Sequence, residues 1–215
     1  MELRLRSEHY QDLQQLYTQA QQGQSAQLAN QIGVALAHVG TDLIDDLFEG
    51  IHQKLAESEH YESAETIAQV KQRIHKYLPW AVKYLSHQRL MRLLAYFIEQ
   101  AQLEDGQVKL RYSVPDELYR RFRQQILHIE VGDARFMPQA FATLTEILDL
   151  AVNQWVRQPK ASLELNALVN KTMDGVIHVT TQIGYQRLSQ LGQELDPKIG
   201  LKYLQHFLEF LHQKP

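Results

Sequence analysis

Three glutamate–histidine pairs have a three-residue spacing, which places both side chains on one face of a helix. Helical di-metal proteins direct such Glu-x-x-His pairs into a bundle, so these residues are candidate metal ligands: Glu49/His52, Glu57/His60 and Glu209/His212. A ligand must point inward, however, and Glu49 and Glu209 lie opposite the apolar stripes of their predicted helices. We therefore expect no metal site and no cofactor.

His87 is the histidine whose position most suggests a functional role. It lies with Tyr84 in an apolar seam that runs from Trp80 to Ala101 at alternating steps of four and three residues. Two interpretations remain open: a core histidine with satisfied hydrogen bonds, or a ligand or acid–base group beside a pocket that includes Tyr84.

Four carboxylates share one face of the helix that follows Gly40, and they are also candidates for a cation or partner site. Acidic side chains near a helix start are favoured by the helix dipole, so the predicted arrangement is a solvated face. The four residues are Asp42, Asp45, Asp46 and Glu49.

Composition excludes several classes of chemistry. The chain of 215 residues has no cysteine, which rules out disulfides, thiol nucleophiles and iron–sulfur clusters. No G-x-S-x-G, phosphate-binding glycine loop or H-E-x-x-H motif occurs, so an enzyme is not the favoured prediction. No apolar run approaches the ~20 residues of a membrane span, and the first residues lack a secretory pattern. We expect a cytoplasmic protein without a membrane partner.

Residues 107–114 alternate between polar and apolar side chains, which is typical of a half-buried strand. The alternation places Lys109, Arg111 and Ser113 on one face. The helix predicted to follow adds three more cations, at Arg120, Arg121 and Arg123. Although the formal net charge of the chain is −3, this local basic set is compatible with nucleic-acid binding.

Residues 107–157 resemble the ribbon-helix-helix family of DNA-binding proteins. The resemblance rests on K-L-R-Y-S-V-P-D-E-L at 109–118, on Phe122 and Ile126 in the next helix, and on a glycine turn at Gly132 before an apolar helix. It implies a dimer whose paired strands enter the major groove, with Lys109, Arg111 and Ser113 facing the bases. The alternative is a short hairpin or connector on a helical domain.

The remaining pattern is helical almost throughout. Residues 79–103 are predicted as one central helix, with a second strongly apolar helix at 136–156 packed against it. Gly40, followed by Thr41 and Asp42, favours a helix break between residues 25 and 55. Gly33, Ala37 and Gly40 share a face where another helix can approach closely.

These elements predict an all-α fold, a multi-helix bundle of about eight helices with one short extended segment near 107–114. We expect one helical domain over 1–215, with a subdivision into 1–103 and 107–215 as the alternative. The favoured function is a non-enzymatic binding or regulatory protein whose partner is another protein or a second copy of the chain. DNA binding through 107–123, or a ligand-binding or enzymatic bundle that uses His87, are the alternatives.

Overall fold

A computed structural model describes residues 1–55 and 62–212 and confirms the all-α multi-helix fold. The helices are α1 (Ser7–Gln19), α2 (Ser25–Leu55), α3 (Glu62–Val82), α4 (His87–Gln100), α5 (Asp116–Glu130), α6 (Met137–Val152), α7 (Gln158–Ser162), α8 (Ala167–Glu194) and α9 (Pro197–His212). Short helical turns lie at Ala20–Gln24, Ala134–Phe136 and Asn153–Arg157. The strands are β1 (Glu2–Leu5), β2 (Ala101–Glu104) and β3 (Gln107–Arg111).

The three strands form one antiparallel sheet in the order β1-β3-β2. Leu110 of β3 is opposite Leu3 on one side and Ala101 on the other. The turn between β2 and β3 is Asp105-Gly106, and both residues have the positive φ that a two-residue hairpin favours. The predicted extended segment is thus a strand only as far as Arg111, and two further strands were missed because each has only four residues.

The predicted central helix over 79–103 is wrong. Helix α3 continues through Pro79 to Val82, the chain turns, and α4 begins after Ser86, whose backbone is extended. Residues 101–104 then belong to β2. The apolar period continued in the sequence across this bend, although Tyr84 and His87 are exposed there, so periodicity alone did not show where the helix ends.

The most enclosed helix is α6, which packs against α5, α8 and α9. Its buried side chains point in several directions, as expected for a helix that is apolar around most of its circumference. They are Met137, Ala140, Phe141, Thr143, Leu144, Ile147, Leu148 and Ala151.

Helices α2 and α3 form a close antiparallel pair. Gly33 lies against Pro79, and Gly40 lies against Ile74, so the prediction of a face of small residues agrees with the contacts. The predicted break at Gly40 is wrong, because α2 runs without interruption from Ser25 to Leu55. Gly40 admits the neighbouring helix and does not end its own.

Candidate ligand-binding cavity

A cavity of about 370 Å³ lies between α2, α3, α6 and α8. Its wall is almost entirely apolar and receives branched or aromatic side chains from each of these helices. Representative wall residues are Val39 and Leu43 of α2, Ile67 and Ile74 of α3, Leu148 of α6, and Val176 and Ile177 of α8. Cavities of this size and polarity are typical of small-molecule sites.

The middle of α8 explains why this space is not filled. Short side chains face the cavity there, at Thr180, Thr181 and Gly184. A Cβ atom added at Gly184 would meet nothing within 4 Å. Because α3 and α6 both pack against α8, a stretch of small residues in it leaves a gap between them.

The charged residues on the wall are all cationic. They are Arg73 of α3, Lys160 of α7 and Arg187 of α8, and no carboxylate lines the cavity within the residues that the structure describes. Lys160 is paired with Asp174 at 2.6 Å, and Arg187 lies 4.0 Å from Glu194. The electrostatic character of the wall therefore favours an anionic group.

A polar cluster adjoins the wall where α6 meets α8. The Tyr185 hydroxyl donates to Asp149 Oδ1 at 2.5 Å, and Arg157 donates to both oxygens of Asp149 at 2.7 and 2.9 Å. The hydrogen bond from Arg157 holds the pKa of Asp149 below its ordinary value. Burial, and then the bond to Asp149, raise the pKa of Tyr185. The cluster fixes Tyr185, which lines the cavity.

Apart from the cations, two polar side-chain atoms on the wall are buried without a hydrogen-bond partner among the described residues. They are Thr180 Oγ1 and Trp155 Nε1. Buried polar atoms in native proteins are nearly always paired. An atom of a bound molecule can supply such a partner.

The structure places Tyr84 and His87 away from this cavity. Both lie at the bend between α3 and α4, where Tyr84 is 53% exposed and His87 is exposed as well. Neither belongs to the wall. The seam that joined them in the sequence depended on a continuous helix that does not form.

The basic residues of the β3 segment are engaged within the protein. Arg111 contacts Glu2 and Glu104 at 2.6 Å each, and Lys109 lies 3.2 Å from Glu2. Burial alone would raise the pKa of Glu2, but the hydrogen bonds from Arg111 and Lys109 outweigh it and hold that pKa below its usual value. The alternation of β3 is as predicted, since Val108 and Leu110 are buried.

This arrangement differs from the geometry that a ribbon-helix-helix dimer requires. β3 is the middle strand, paired on one edge with β1 and on the other with β2, so neither edge is left for a strand of a second chain. Ser113 follows the strand and is exposed, as are all three arginines of α5. Of these, Arg121 pairs with Glu146, and the others are Arg120 and Arg123.

The prediction of a solvated carboxylate face is wrong for three of its four residues, since Asp42, Asp45 and Asp46 form an ion-pair network between elements. Asp42 is only 3% exposed and accepts hydrogen bonds from the Arg6 backbone N–H at 3.1 Å and from Arg6 Nε at 2.6 Å. Asp46 accepts from Arg4, and Asp45 pairs with Lys71. These contacts tie β1 and α3 to α2.

Three histidines, distant in sequence, form a column next to this network, and sequence reasoning did not find it. The ring of His38 lies 4.6 Å from that of His9 and 5.4 Å from that of His75, measured between centroids. His9 Nδ1 is 2.8 Å from Asp42 Oδ2. Burial, and then the neighbouring rings, lower the pKa of His38.

The structure describes only some residues of the Glu-x-x-His pairs. Glu57 and His60 lie outside the described residues, as do the side chains of Glu49, His52 and His212. Glu209 is exposed, in agreement with its predicted orientation. Within 1–55 and 62–212, no three histidine, aspartate or glutamate side chains are arranged to hold a metal ion.

Comparison with known proteins gives no match: no family model, no curated protein and no solved structure is significantly similar to this chain. No helix in the described part of the structure is long and apolar enough to cross a membrane.

Proposed function

We propose that the protein binds an apolar small molecule in the cavity between α2, α3, α6 and α8. The observation that carries the proposal is the size of this space together with its apolar wall. Protein interiors are close-packed and leave few voids larger than a water molecule. A water molecule occupies about 30 Å³ in the liquid, so this partly open cavity has room for roughly ten water molecules.

The chemistry of the wall favours an apolar occupant over water. Water in a protein cavity is held by two to four polar partners, and the aliphatic side chains of this wall offer none. Transfer of apolar surface from water to such a wall is favourable, at about 25 cal/mol per Å² of area buried. The role is thus that of a carrier or sensor of an apolar compound, which is related to the ligand-binding bundle offered as an alternative from the sequence but does not use His87.

Filling the cavity from its own wall tests this function. Gly184→Leu places a side chain into open space on the cavity wall. Gly175→Leu is the matched control, because Gly175 lies on the same helix, also has no atom within 4 Å of an added Cβ, and does not line the cavity. Both substitutions remove a helix-interior glycine, which favours the helix by roughly 0.5–1 kcal/mol.

The measurement is a fluorescence titration with the neutral apolar dye N-phenylnaphthylamine. The unmodified protein and Gly175→Leu should bind the dye alike, and Gly184→Leu should bind it at least about tenfold more weakly, a loss of about 1.4 kcal/mol. Equal binding by the two leucine variants, or no binding by the unmodified protein, would contradict the proposal.

A further inference from the structure

The charged side chains on the cavity wall are all positive, and this favours some apolar ligands over others according to the charge of their polar group. Arg73, Lys160 and Arg187 contribute positive charge, and the described part of the wall contains no carboxylate. A cation is better solvated by water than by an alkyl chain, so contact with a purely hydrocarbon ligand would not stabilise these charges. An amphiphile with an anionic head is complementary to it.

Arg73 is the cation best suited to receive that head. Lys160 and Arg187 already lie beside Asp174 and Glu194. Arg73, which is half-buried, has no hydrogen bond or ion pair with any residue in 1–55 or 62–212. A guanidinium group presents a planar fork that matches the two oxygens of a carboxylate.

A second observation places a polar ligand atom inside this mainly apolar space. Thr180 lines the cavity from α8, the helix that packs against the α3 helix of Arg73. Its Oγ1 is buried and unpaired within the described structure. A hydroxyl donates a hydrogen bond readily to a carboxylate oxygen, so Thr180 is a second group on the wall that can bind a ligand oxygen.

We infer that the ligand is a long-chain carboxylate, whose alkyl chain fills the cavity and whose carboxylate pairs with Arg73. This inference rests on the proposed function and adds the chemical class of the ligand. It differs from a role in packing, because Arg73 has no hydrogen-bond or ion-pair partner among the described residues. The role assigned to Arg73 is selectivity for the charge of the head.

Three probes with alkyl chains of nearly equal length and different heads test the inference: dodecanoate, dodecanol and dodecyltrimethylammonium. Each is titrated calorimetrically below its aggregation concentration. Dodecanoate should bind about tenfold more tightly than dodecanol, as expected for one charge-assisted contact, and the cationic probe should bind most weakly. Arg73→Gln should reduce dodecanoate affinity to that of dodecanol and leave dodecanol affinity unchanged.

Two further variants keep the result interpretable. Arg73→Lys retains the charge and should keep most of the preference for dodecanoate, and Arg92→Gln removes an exposed arginine outside the wall and should change nothing. Equal affinity for the three probes would overturn the inference while the proposed function stands. An unchanged preference in Arg73→Gln would overturn the assignment of Arg73. If none of the probes bound, and the neutral dye failed as well, the proposed function itself would fall.

Discussion

Replacing Gly33 by alanine should push α2 and α3 apart, because the added methyl group has no room. Its Cβ would lie 2.4 Å from the Cα of Pro79 and 3.1 Å from the Pro79 nitrogen, whereas carbon atoms in contact are normally about 3.5–4.0 Å apart. The obstacle is backbone, so it cannot rotate away as a flexible side chain would. Relief of the clash requires a separation on the order of 1 Å.

The size of the effect follows from two opposing contributions. Overpacking a close-packed core costs about 1–3 kcal/mol, and the upper end applies here because a whole helix must move. Alanine is favoured over glycine in a helix interior by about 1 kcal/mol. The net loss in the free energy of unfolding for Gly33→Ala should therefore be about 2 kcal/mol.

Gly40→Ala is the matched control, since Gly40 lies on the same helix and also faces α3. An added Cβ there would contact Ile74 Cγ2 at 3.4 Å, an ordinary contact distance, so this variant should gain up to about 1 kcal/mol from helix propensity. The two variants should differ by about 3 kcal/mol in urea denaturation, or by about 6–12 °C in melting temperature for a chain of this size. Equal stability would show that α2 and α3 do not approach as closely as described.

Four other predictions concern the core, the ion-pair network, the histidine column and the ligand. Leu94→Ala should cost about 3 kcal/mol because Leu94 is fully buried, and Met91→Ala about half of that; equal losses in chemical denaturation would contradict this. Asp42→Ala should cost about 3 kcal/mol by removing a buried acceptor shared by Arg6 and His9, and a change within experimental error would refute it. Folding lowers the pKa of His38 from 6.5, so in acid the unfolded chain binds more protons than the folded chain. Stability should therefore be retained above pH 6.5 and fall as the pH drops through the folded-state pKa. Thermal melts of His38→Gln should show a shallower decline. Dodecanoate at a hundredfold excess over its Kd should add about 2.7 kcal/mol, seen as a rise of about 5–11 °C in melting temperature, with at most about half that rise in Gly184→Leu at the same concentration.

Sequence periodicity was sufficient to predict a packed face where one face of a helix contacts one partner. The small residues around Gly33 and Gly40 were assigned correctly, because close helix approach needs small side chains whatever the surrounding fold. The strongly apolar segment at 136–156 was likewise assigned as a core helix, and α6 occupies most of it. For the small residues the local pattern contains the information that decides the packing. For α6 it showed that the helix is buried but not its partners, because α6 packs chiefly against α5, α8 and α9 and not, as predicted, against residues 79–103.

Backbone continuity was not predictable from the same pattern. The seam through 79–103 has the right residues for one helix, and the bend at residues 83–86 depends on how α3 and α4 dock on different neighbours. β1 and β2 are each four residues long, and β1 pairs with β3 across more than one hundred residues. Such pairing is decided by tertiary contacts that a window of sequence does not include.

The candidate site was missed for a different reason. A cavity consists of volume that side chains do not fill, and no sequence motif predicts it. The one sequence signal was the run of small residues in α8 at Thr180, Thr181 and Gly184. The histidine column was missed because His9, His38 and His75 belong to three helices whose packing had to be known first.

The most direct test of the account is a crystal structure of the protein grown with ω-bromododecanoic acid, in which anomalous scattering locates the bromine. The account predicts one bromine peak inside the cavity between α2, α3, α6 and α8, with density for the carboxylate in contact with Arg73. A protein without a bromine peak, with α3 and α8 packed together where the cavity is described, would contradict it.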